Sequence, residues 1–150
     1  MNKSTQIRIM TIADYDALYD LWLHIAGMGL NTTDDSREGI AQYLKRNPTT
    51  CFVAEADGKL IGVIMAGHDG RRGFIYHTAV LPEHRKQGIA MALVDHAMQA
   101  LEAEGIHKTA LVVFASNELG NGFWEHIGFT KREDLVYRNR NIHPLEKINT

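Results

Sequence analysis

The sequence Val80-Leu81-Pro82-Glu83-His84-Arg85-Lys86-Gln87-Gly88-Ile89-Ala90 decides the fold of this 150-residue chain. Apolar residues that are typical of a strand lead into a proline, and small residues then open a long helical pattern. The first turn of a helix presents unpaired backbone N–H groups and the positive end of the helix dipole. Gly88 and Ala90 leave that backbone accessible, while Arg85 and Lys86 add positive charge, so the segment predicts a diphosphate cradle. Small residues at a helix start also favour close packing on a sheet, and this segment alone leaves both interpretations open.

Other phosphate-binding and metal-binding patterns are absent from the sequence. It contains neither Gly-x-Gly-x-x-Gly after a first parallel strand nor the Gly-Lys-Ser/Thr ending of a P-loop. The formal net charge of −2 argues against a nucleic-acid binder, which usually needs a basic face. The single cysteine, Cys51, excludes a disulfide framework and a cysteine-rich zinc site. The histidines are dispersed without metal-ligand spacing, so we expect no metal.

Outward from this segment, hydrophobic periodicity predicts the order β-α-α-β-β-β-α-β-α-β-β. This order is typical of a mixed α/β fold, with a mostly antiparallel sheet of about six or seven strands and helices on both faces. Asp57-Gly58 between two apolar runs predicts a hairpin turn. The apolar run 109–114 predicts a central strand covered on both faces. Segments 129–131 and 135–138 predict a final hairpin.

The length and composition predict one domain spanning residues 1–150, with a core at about 5–140. The tail 141–150 loses periodicity, and we expect it to be loose. No apolar stretch approaches the ~20 residues of a membrane span, and the N-terminus lacks the apolar core of a signal peptide. We therefore expect a cytoplasmic protein with no membrane or nucleic-acid partner.

The sequence resembles the GNAT superfamily of acetyl-CoA-dependent N-acetyltransferases. The family motif Gln/Arg-x-x-Gly-x-Gly/Ala is matched by Arg85-Lys86-Gln87-Gly88-Ile89-Ala90, which follows a strand carrying Ala79-Val80. A second family motif places an Asn, a small residue, an aromatic and Gly-Phe at fixed spacing. Its matches here are Asn117, Gly120, Trp124 and Gly128-Phe129. The resemblance covers about residues 5–140.

The resemblance implies an acetyl-CoA site and no metal. In GNAT proteins the fourth and fifth strands splay apart, and the pantetheine arm of coenzyme A lies in the opening. The backbone of the fourth strand pairs with that arm, the helix-start amides hold the pyrophosphate, and residues beyond the fifth strand face the cofactor. The cofactor-binding residues implied in this chain are Thr78, Ala79, Val80, Arg85, Lys86, Gln87, Gly88, Ile89, Ala90, Asn117 and Trp124.

The catalytic residues depart from the family pattern. Where many relatives carry an acidic Tyr on the short helix this chain has Trp124, whose indole does not give up a proton. Positions that hold a basic Glu in relatives are Phe74 and Val112. His77 on the fourth strand is our candidate base, because its neutral pKa suits proton acceptance. The alternative for His77 is a half-buried structural histidine.

Two further strand residues complete the catalytic candidates. Tyr76 is the weaker one, since neighbouring strand residues face opposite sides unless a bulge bends the strand. The backbone N–H of Thr78 would donate to the thioester oxygen as negative charge develops there.

The sequence carries less information about the acceptor than about the cofactor. Arg71 and Arg72 lie at the tip of the second hairpin, between the third and fourth strands, where a guanidinium would clamp a carboxylate or phosphate. The alternative is a solvated hairpin tip with no role in binding. By resemblance, the loop 28–35 forms the other wall of the acceptor pocket, with Asn31 as a contact. The predicted activity is transfer of acetyl to a primary amine of a small molecule, by direct attack in a ternary complex. The alternatives are an acyl-CoA-sensing module and a protein lysine or N-terminal acetyltransferase, and a homodimer is possible.

Overall fold

Five strands form one mixed sheet and lie across it in chain order. The structure, a computed structural model, describes residues 4–148. Neighbouring strands from β1 to β4 pair antiparallel, and β5 pairs parallel with β4 at the sheet edge. The predicted fold class is confirmed, with five strands in the described chain rather than six or seven. The strands are β1 (Thr5–Ile9), β2 (Phe52–Ala56), β3 (Lys59–His68), β4 (Gly73–Val80) and β5 (Thr109–Ala110).

Four α-helices within residues 4–148 surround the sheet, and none of them is long and apolar enough to cross a membrane. Ser36 caps one of them, since its Oγ accepts a hydrogen bond from Gly39 N at 3.0 Å. Short 3₁₀ turns precede α1 and α3. The helices are α1 (Tyr15–Leu23), α2 (Arg37–Arg46), α3 (Ile89–Ala103) and α4 (Glu118–His126).

The turn between β2 and β3 forms where the sequence predicts it. Asp57 and Gly58 have φ values of +52° and +77°, so both adopt the left-handed conformation that a two-residue hairpin of this kind requires. This turn fixes the antiparallel register of β2 and β3, which is interrupted once, between Ala54 and Glu55. The hairpin therefore holds β2 and β3 together in this register, on the side of the sheet away from β5.

The main core lies between the sheet and the inward face of α3. The predicted stripe of Ile89, Leu93, Ala97 and Leu101 is buried. From the other elements, Trp22 of α1 is fully buried, as its place on an apolar helical face predicts. This packing holds α3 against β2, β3 and β4 and so fixes where its N-terminus lies.

The prediction of a central strand over 109–114 is wrong. Strand structure ends at Ala110, and the side chains of Val112 and Phe114 are 55% and 58% exposed. The physical reason is that β4 and β5 part after two residue pairs, so the rest of the run has no ladder partner on that side. The predicted hairpin of 129–131 and 135–138 is not formed either. It would have to pair with a strand over 111–114, and no strand forms there.

The C-terminal tail is better anchored than its sequence indicates. Thr32 N donates to Glu146 O at 2.9 Å, and Ile148 N donates to Leu30 O at 3.0 Å. Asn31 and Lys147 form an isolated antiparallel bridge between these bonds. The end of the described chain thus pairs with the loop before α2 and holds it in place.

We expect Leu93→Ala to lower the free energy of unfolding by about 2–5 kcal/mol, because it leaves a cavity under α3. Met91 on the same helix is 42% exposed, whereas Leu93 is 0% exposed, so Met91→Ala is the matched control. Chemical denaturation of both variants checks the prediction. Equal losses in the two variants would contradict this placement of the core.

Candidate active site

The opening between β4 and β5 is the first element of the site. In the described chain the two strands pair at Gly73 with Thr109 and at Phe74 with Ala110. Beyond these pairs the half of β4 from Ile75 to Val80 has no strand beside it on this side, which confirms the predicted splay. Backbone N–H and C=O groups that point into the opening are therefore free to bind an extended molecule.

The start of α3 lies at the C-terminal end of this opening. Gly88 is the N-cap residue in the left-handed conformation (φ +79°), and no side chain caps the helix. Within residues 4–148, the N–H groups of Lys86, Gln87 and Gly88 donate no hydrogen bond to another residue. A Cβ on Gly88 would meet no protein atom within 4 Å. The loop is therefore an open, positively polarised cradle for an anion.

A bulge in β4 lies in the middle of the opening. Val63 pairs with Ala79 and Met65 pairs with Tyr76, so two residues of β4 oppose one of β3. His77, one of these two, has φ +43°, a conformation that non-glycine residues adopt rarely and at a cost of order 1–3 kcal/mol. The bulge breaks the strict alternation of side chains and brings the His77 and Tyr76 rings to 6.3 Å between centroids.

His77 forms a short hydrogen bond with Asp35. Its Nε2 lies 2.6 Å from Asp35 Oδ1, and the two side chains are 13% and 4% exposed. The ring also makes an edge contact with Trp22 of α1, at 5.0 Å between centroids. Sequence reasoning placed Asp35 at the end of the acceptor loop but assigned it no role, because the two residues are 42 positions apart.

The loop before α2 holds Asp35 through its own hydrogen bonds. Asn31 N donates to Asp35 Oδ2 at 2.9 Å. The side-chain oxygen of Asn31 accepts from Thr33 N at 3.0 Å and from Asp34 N at 2.7 Å. Tyr15 Oη donates to Asp35 O at 2.6 Å. The polar groups of Asn31 thus shape the loop, and its predicted contact with the acceptor stays a prediction.

The same loop closes the opening on the β5 side. A Cβ on Gly29 would lie 3.7 Å from the ring of Phe114, which follows β5. Because β4 and β5 run parallel, Phe114 and the His77 bulge lie at similar levels of the opening. The loop therefore reaches from His77 on one wall to Phe114 on the other, at the level of the bulge.

A family model described as the Acetyltransferase (GNAT) family matches residues 15–129. The chain belongs to the GNAT acetyltransferase family. An acetyltransferase of Yersinia pestis (strain Pestoides F) is 30% identical over 137 residues, which cover 91% of this chain and 96% of that protein. An acetyltransferase of Pectobacterium atrosepticum is 31% identical over 141 residues, covering 94% and 99%. The chain is thus an N-acetyltransferase, as predicted, and these relatives do not favour the acyl-CoA-sensing alternative.

Solved structures share the fold of this GNAT enzyme. The N-acetyltransferase PaiA of Thermoplasma acidophilum, solved with coenzyme A, has a TM-score of 0.73 at 22% identity over 85% of this chain and 90% of that chain. The enzyme AAC(6')-Iy, solved with the bisubstrate analogue CoA-S-monomethyl-acetylneamine, has a TM-score of 0.71 at 19% identity over 91% and 98%. At these identities the likeness shows the fold alone.

Tyr76 and Thr78 flank the GNAT enzyme's bulge histidine. The Tyr76 ring contacts Phe74 and Tyr43, with centroids 4.8 Å and 6.0 Å away, and remains half-exposed. Burial raises the pKa of Tyr76, and the charges of Tyr137 and Asp34 raise it further, so its hydroxyl is protonated at neutral pH. The hydroxyl of Thr78 is buried without a hydrogen-bond partner in the described chain, beside the opening. Their catalytic roles stay predictions.

The GNAT motif residues after β5 are held by local contacts. Asn117 caps α4, since its Oδ1 accepts from Gly120 N at 2.9 Å. The Trp124 ring packs edge-on against Phe123 and Phe129, each at 5.1 Å between centroids. These contacts hold the short helix against the residues that precede and follow it. They leave the predicted cofactor contacts of Asn117 and Trp124 as predictions.

Arg71 and Arg72 lie at the exposed tip between β3 and β4. Asp69 Oδ1 accepts from both of their backbone N–H groups at 2.8 Å, which shapes the turn. These bonds lower the pKa of Asp69 and leave it ionised at neutral pH. The structure brings neither guanidinium into contact with His77 or Asp35 within residues 4–148, so acceptor binding by this tip stays a prediction. No group of three or more metal-ligating side chains is arranged to hold a metal in the same residues.

We expect the single thiol of this GNAT enzyme to be unreactive in the folded state. Burial raises the pKa of Cys51 to about 12, so the thiolate fraction at pH 8 is about 10⁻⁴. A disulfide reagent such as DTNB at pH 8 should label the native protein at least about 100-fold more slowly than the protein in denaturant. Rapid labelling of the native protein would contradict this burial of Cys51.

Proposed function

We propose that this protein transfers acetyl from acetyl-CoA to a primary amine of a small molecule, by direct attack in a ternary complex. The observation that carries the proposal is the arrangement along one strand. The free amides at the start of α3 lie past the end of β4, the unpaired half of β4 leads away from them, and His77 lies midway along it. An anionic anchor, an extended arm and a proton acceptor are thus aligned in the order that acetyl-CoA requires.

The start of α3 fits the pyrophosphate of coenzyme A. The amides of Lys86, Gln87, Gly88, Ile89 and Ala90 form the proposed cradle, whereas Arg85 N donates to Pro82 O at 3.2 Å and so Arg85 is proposed to contribute its side chain alone. Gly88 keeps the cradle open, because a side chain there would project into the space an anion needs. The cationic side chains of Arg85 and Lys86 add charge to the helix dipole. PaiA, solved with coenzyme A, supports this proposal through its shared fold.

The unpaired part of β4 fits the pantetheine arm. Ala79 and Val80 pair with β3 on one side and Thr78 lies in the bulge, and the amide groups of this segment that point away from β3 face the opening. An extended pantetheine with two amide groups would replace the missing strand pairing there. Asn117 and Trp124 would bound the arm from α4.

The bulge supplies the proposed chemistry. The thioester of acetyl-CoA provides an activated acyl group. His77 takes a proton from the acceptor nitrogen, a nitrogen–carbon bond forms, and the carbon–sulfur bond breaks with its electron pair left on sulfur. The Thr78 N–H is placed to stabilise the negative charge on the thioester oxygen. Tyr76 is protonated at neutral pH, which suits it to donate rather than to accept a proton.

The acceptor end of the opening supports a small-molecule substrate. The loop that contacts both His77 and Phe114 borders this end and limits the room for an acceptor, which supports a small molecule over a protein. AAC(6')-Iy, which shares the fold, was solved with an analogue that joins coenzyme A to an acetylated neamine. Arg71, Arg72 and Asn31 remain the proposed acceptor contacts.

A cytoplasmic location remains part of the proposal, because acetyl-CoA is an intracellular metabolite. A homodimer remains part of it as well, because apolar groups beyond β5 are exposed.

Gly88→Ala tests the cradle, with Gly105→Ala as its matched control. The two glycines have φ values of +79° and +81°, and a Cβ added to either would meet no protein atom within 4 Å. Each variant should therefore lose about 1 kcal/mol of stability from backbone strain. Only Gly88→Ala should weaken coenzyme A binding, by about tenfold in Kd by calorimetry, or about 1.4 kcal/mol. Equal affinities for coenzyme A in the two variants would contradict the proposal that this segment binds the pyrophosphate.

His77→Ala should lower kcat/KM about 100-fold at pH 7, because it removes the general base. The loss should shrink as the pH rises, since a larger fraction of the acceptor amine is then already neutral. Initial rates of thiol release from acetyl-CoA with a panel of primary amines measure both effects. His24→Ala, at an exposed histidine of the α1 C-terminus, is the control. An unchanged pH–rate profile in His77→Ala would return His77 to a structural role.

A further inference from the structure

We propose that Asp35 is a positioning residue for acetyl transfer: it holds Nε2–H of His77 and so leaves Nδ1 as the nitrogen that takes the acceptor's proton. The inference rests on the proposed function and deepens it by assigning the proton acceptor to one atom. It also explains why the loop before α2 is folded so tightly around one carboxylate.

The hydrogen bond between the two residues determines the tautomer. An ionised carboxylate only accepts hydrogen bonds, so Asp35 Oδ1 at 2.6 Å requires a hydrogen on Nε2 of His77. In a neutral imidazole the other nitrogen then carries the lone pair. Nδ1, which lies on the side of the ring that faces away from Asp35, is therefore the atom of His77 that accepts the proton.

The burial of Asp35 indicates a role beyond packing. A carboxylate that is 4% exposed is costly unless it is paired. Within residues 4–148, the one ion pair recorded for Asp35 is with His77, and no Lys or Arg side chain pairs with it. When proton transfer leaves His77 positively charged, the carboxylate of Asp35 is paired with a cation. The arrangement thus stabilises the charge that forms on His77 during the reaction.

Three contacts hold the carboxylate in one orientation. Asp35 Oδ2 accepts from Asn31 N at 2.9 Å, and the backbone carbonyl of Asp35 accepts from Tyr15 Oη at 2.6 Å. Trp22 packs against the opposite side of the pair through the His77 ring. The loop is in turn bonded to the end of the described chain at Glu146 and Ile148. Neither ring nor carboxylate has freedom to turn, so Nδ1 keeps one direction.

The groups that face His77 are one carboxylate and two rings. The α1 helix presents Trp22, which does not titrate, and β4 presents Tyr76, whose raised pKa keeps it neutral. The loop before α2 presents Asp35. In the reaction a proton leaves the acceptor nitrogen for Nδ1 and passes to water after the acetylated product departs.

Asp35→Asn is the decisive variant, because the chain itself orients the new amide. Asn31 N–H requires an acceptor, so the amide oxygen should face it and the NH₂ group should face Nε2 of His77. His77 must then carry its hydrogen on Nδ1 and has no lone pair for the acceptor. We expect kcat to fall about 100-fold with the KM for acetyl-CoA within twofold, and the remaining activity to lose its dependence on His77.

The ¹⁵N resonances of His77 report the tautomer directly. We expect Nε2–H in the protein as it stands and Nδ1–H in Asp35→Asn. This shift tests the hydrogen bond, whereas the fall in kcat at an unchanged KM, which a purely structural contact would not produce, tests the role in proton transfer. Asp20→Asn removes the charge of a carboxylate on α1 that is 76% exposed, and should keep kcat within about twofold. The double variant with His77→Ala should lose no more activity than His77→Ala alone.

The outcomes separate this inference from the proposed function. If His77→Ala slows acetyl transfer and Asp35→Asn does not, the role of Asp35 is overturned and the proposed function stands. If no amine is acetylated by the unaltered protein, the proposed function itself fails. If Asp35→Asn does not fold, the ¹⁵N spectrum of the unaltered protein still decides, because a hydrogen on Nδ1 overturns the assignment.

Discussion

The pairing of β4 with β5 stops after two residues, and the site is built around this interruption. A sheet normally satisfies its backbone groups with a neighbouring strand, so an unpaired half-strand inside a folded domain must find another partner. Here the free half of β4 ends at the start of α3, where a second set of amides is also free. Two rows of unsatisfied backbone donors therefore meet at one place, and an extended anionic molecule is the partner that satisfies both.

The chemistry depends on a second irregularity in the same strand. The bulge puts His77 into a left-handed conformation, which is unfavourable for a ring-bearing residue unless other contacts hold it. Asp35 and Trp22 are those contacts, one polar and one apolar. Because Asp35 belongs to a loop bonded to the chain's C-terminal segment, elements from both ends of the sequence converge on one imidazole. Strain in β4 is thus balanced by the loop rather than by the sheet.

Local patterns predicted the parts of this protein that depend on local physics. The apolar stripe on α3 and the turn at Asp57-Gly58 follow from periodicity and turn chemistry, and both are found in the structure. The run after Thr109 has the composition of a buried strand, yet it lacks a ladder partner, and no local pattern reveals that absence. Asp35 was missed for a related reason. Its partner is far along the chain, and the bulge that turns His77 toward it is a property of strand register rather than of residue type.

The interrupted ladder is tested most directly by a coenzyme A titration followed by backbone amide NMR. The account predicts that the resonances of Thr78–Val80 and Lys86–Ala90 shift together and saturate at one coenzyme A per chain, while those of Gly73 and Thr109 stay fixed because their pairing is intact. Shifts confined to other surfaces, or amides at Thr78–Val80 that exchange slowly with solvent because a strand already covers them, would contradict it.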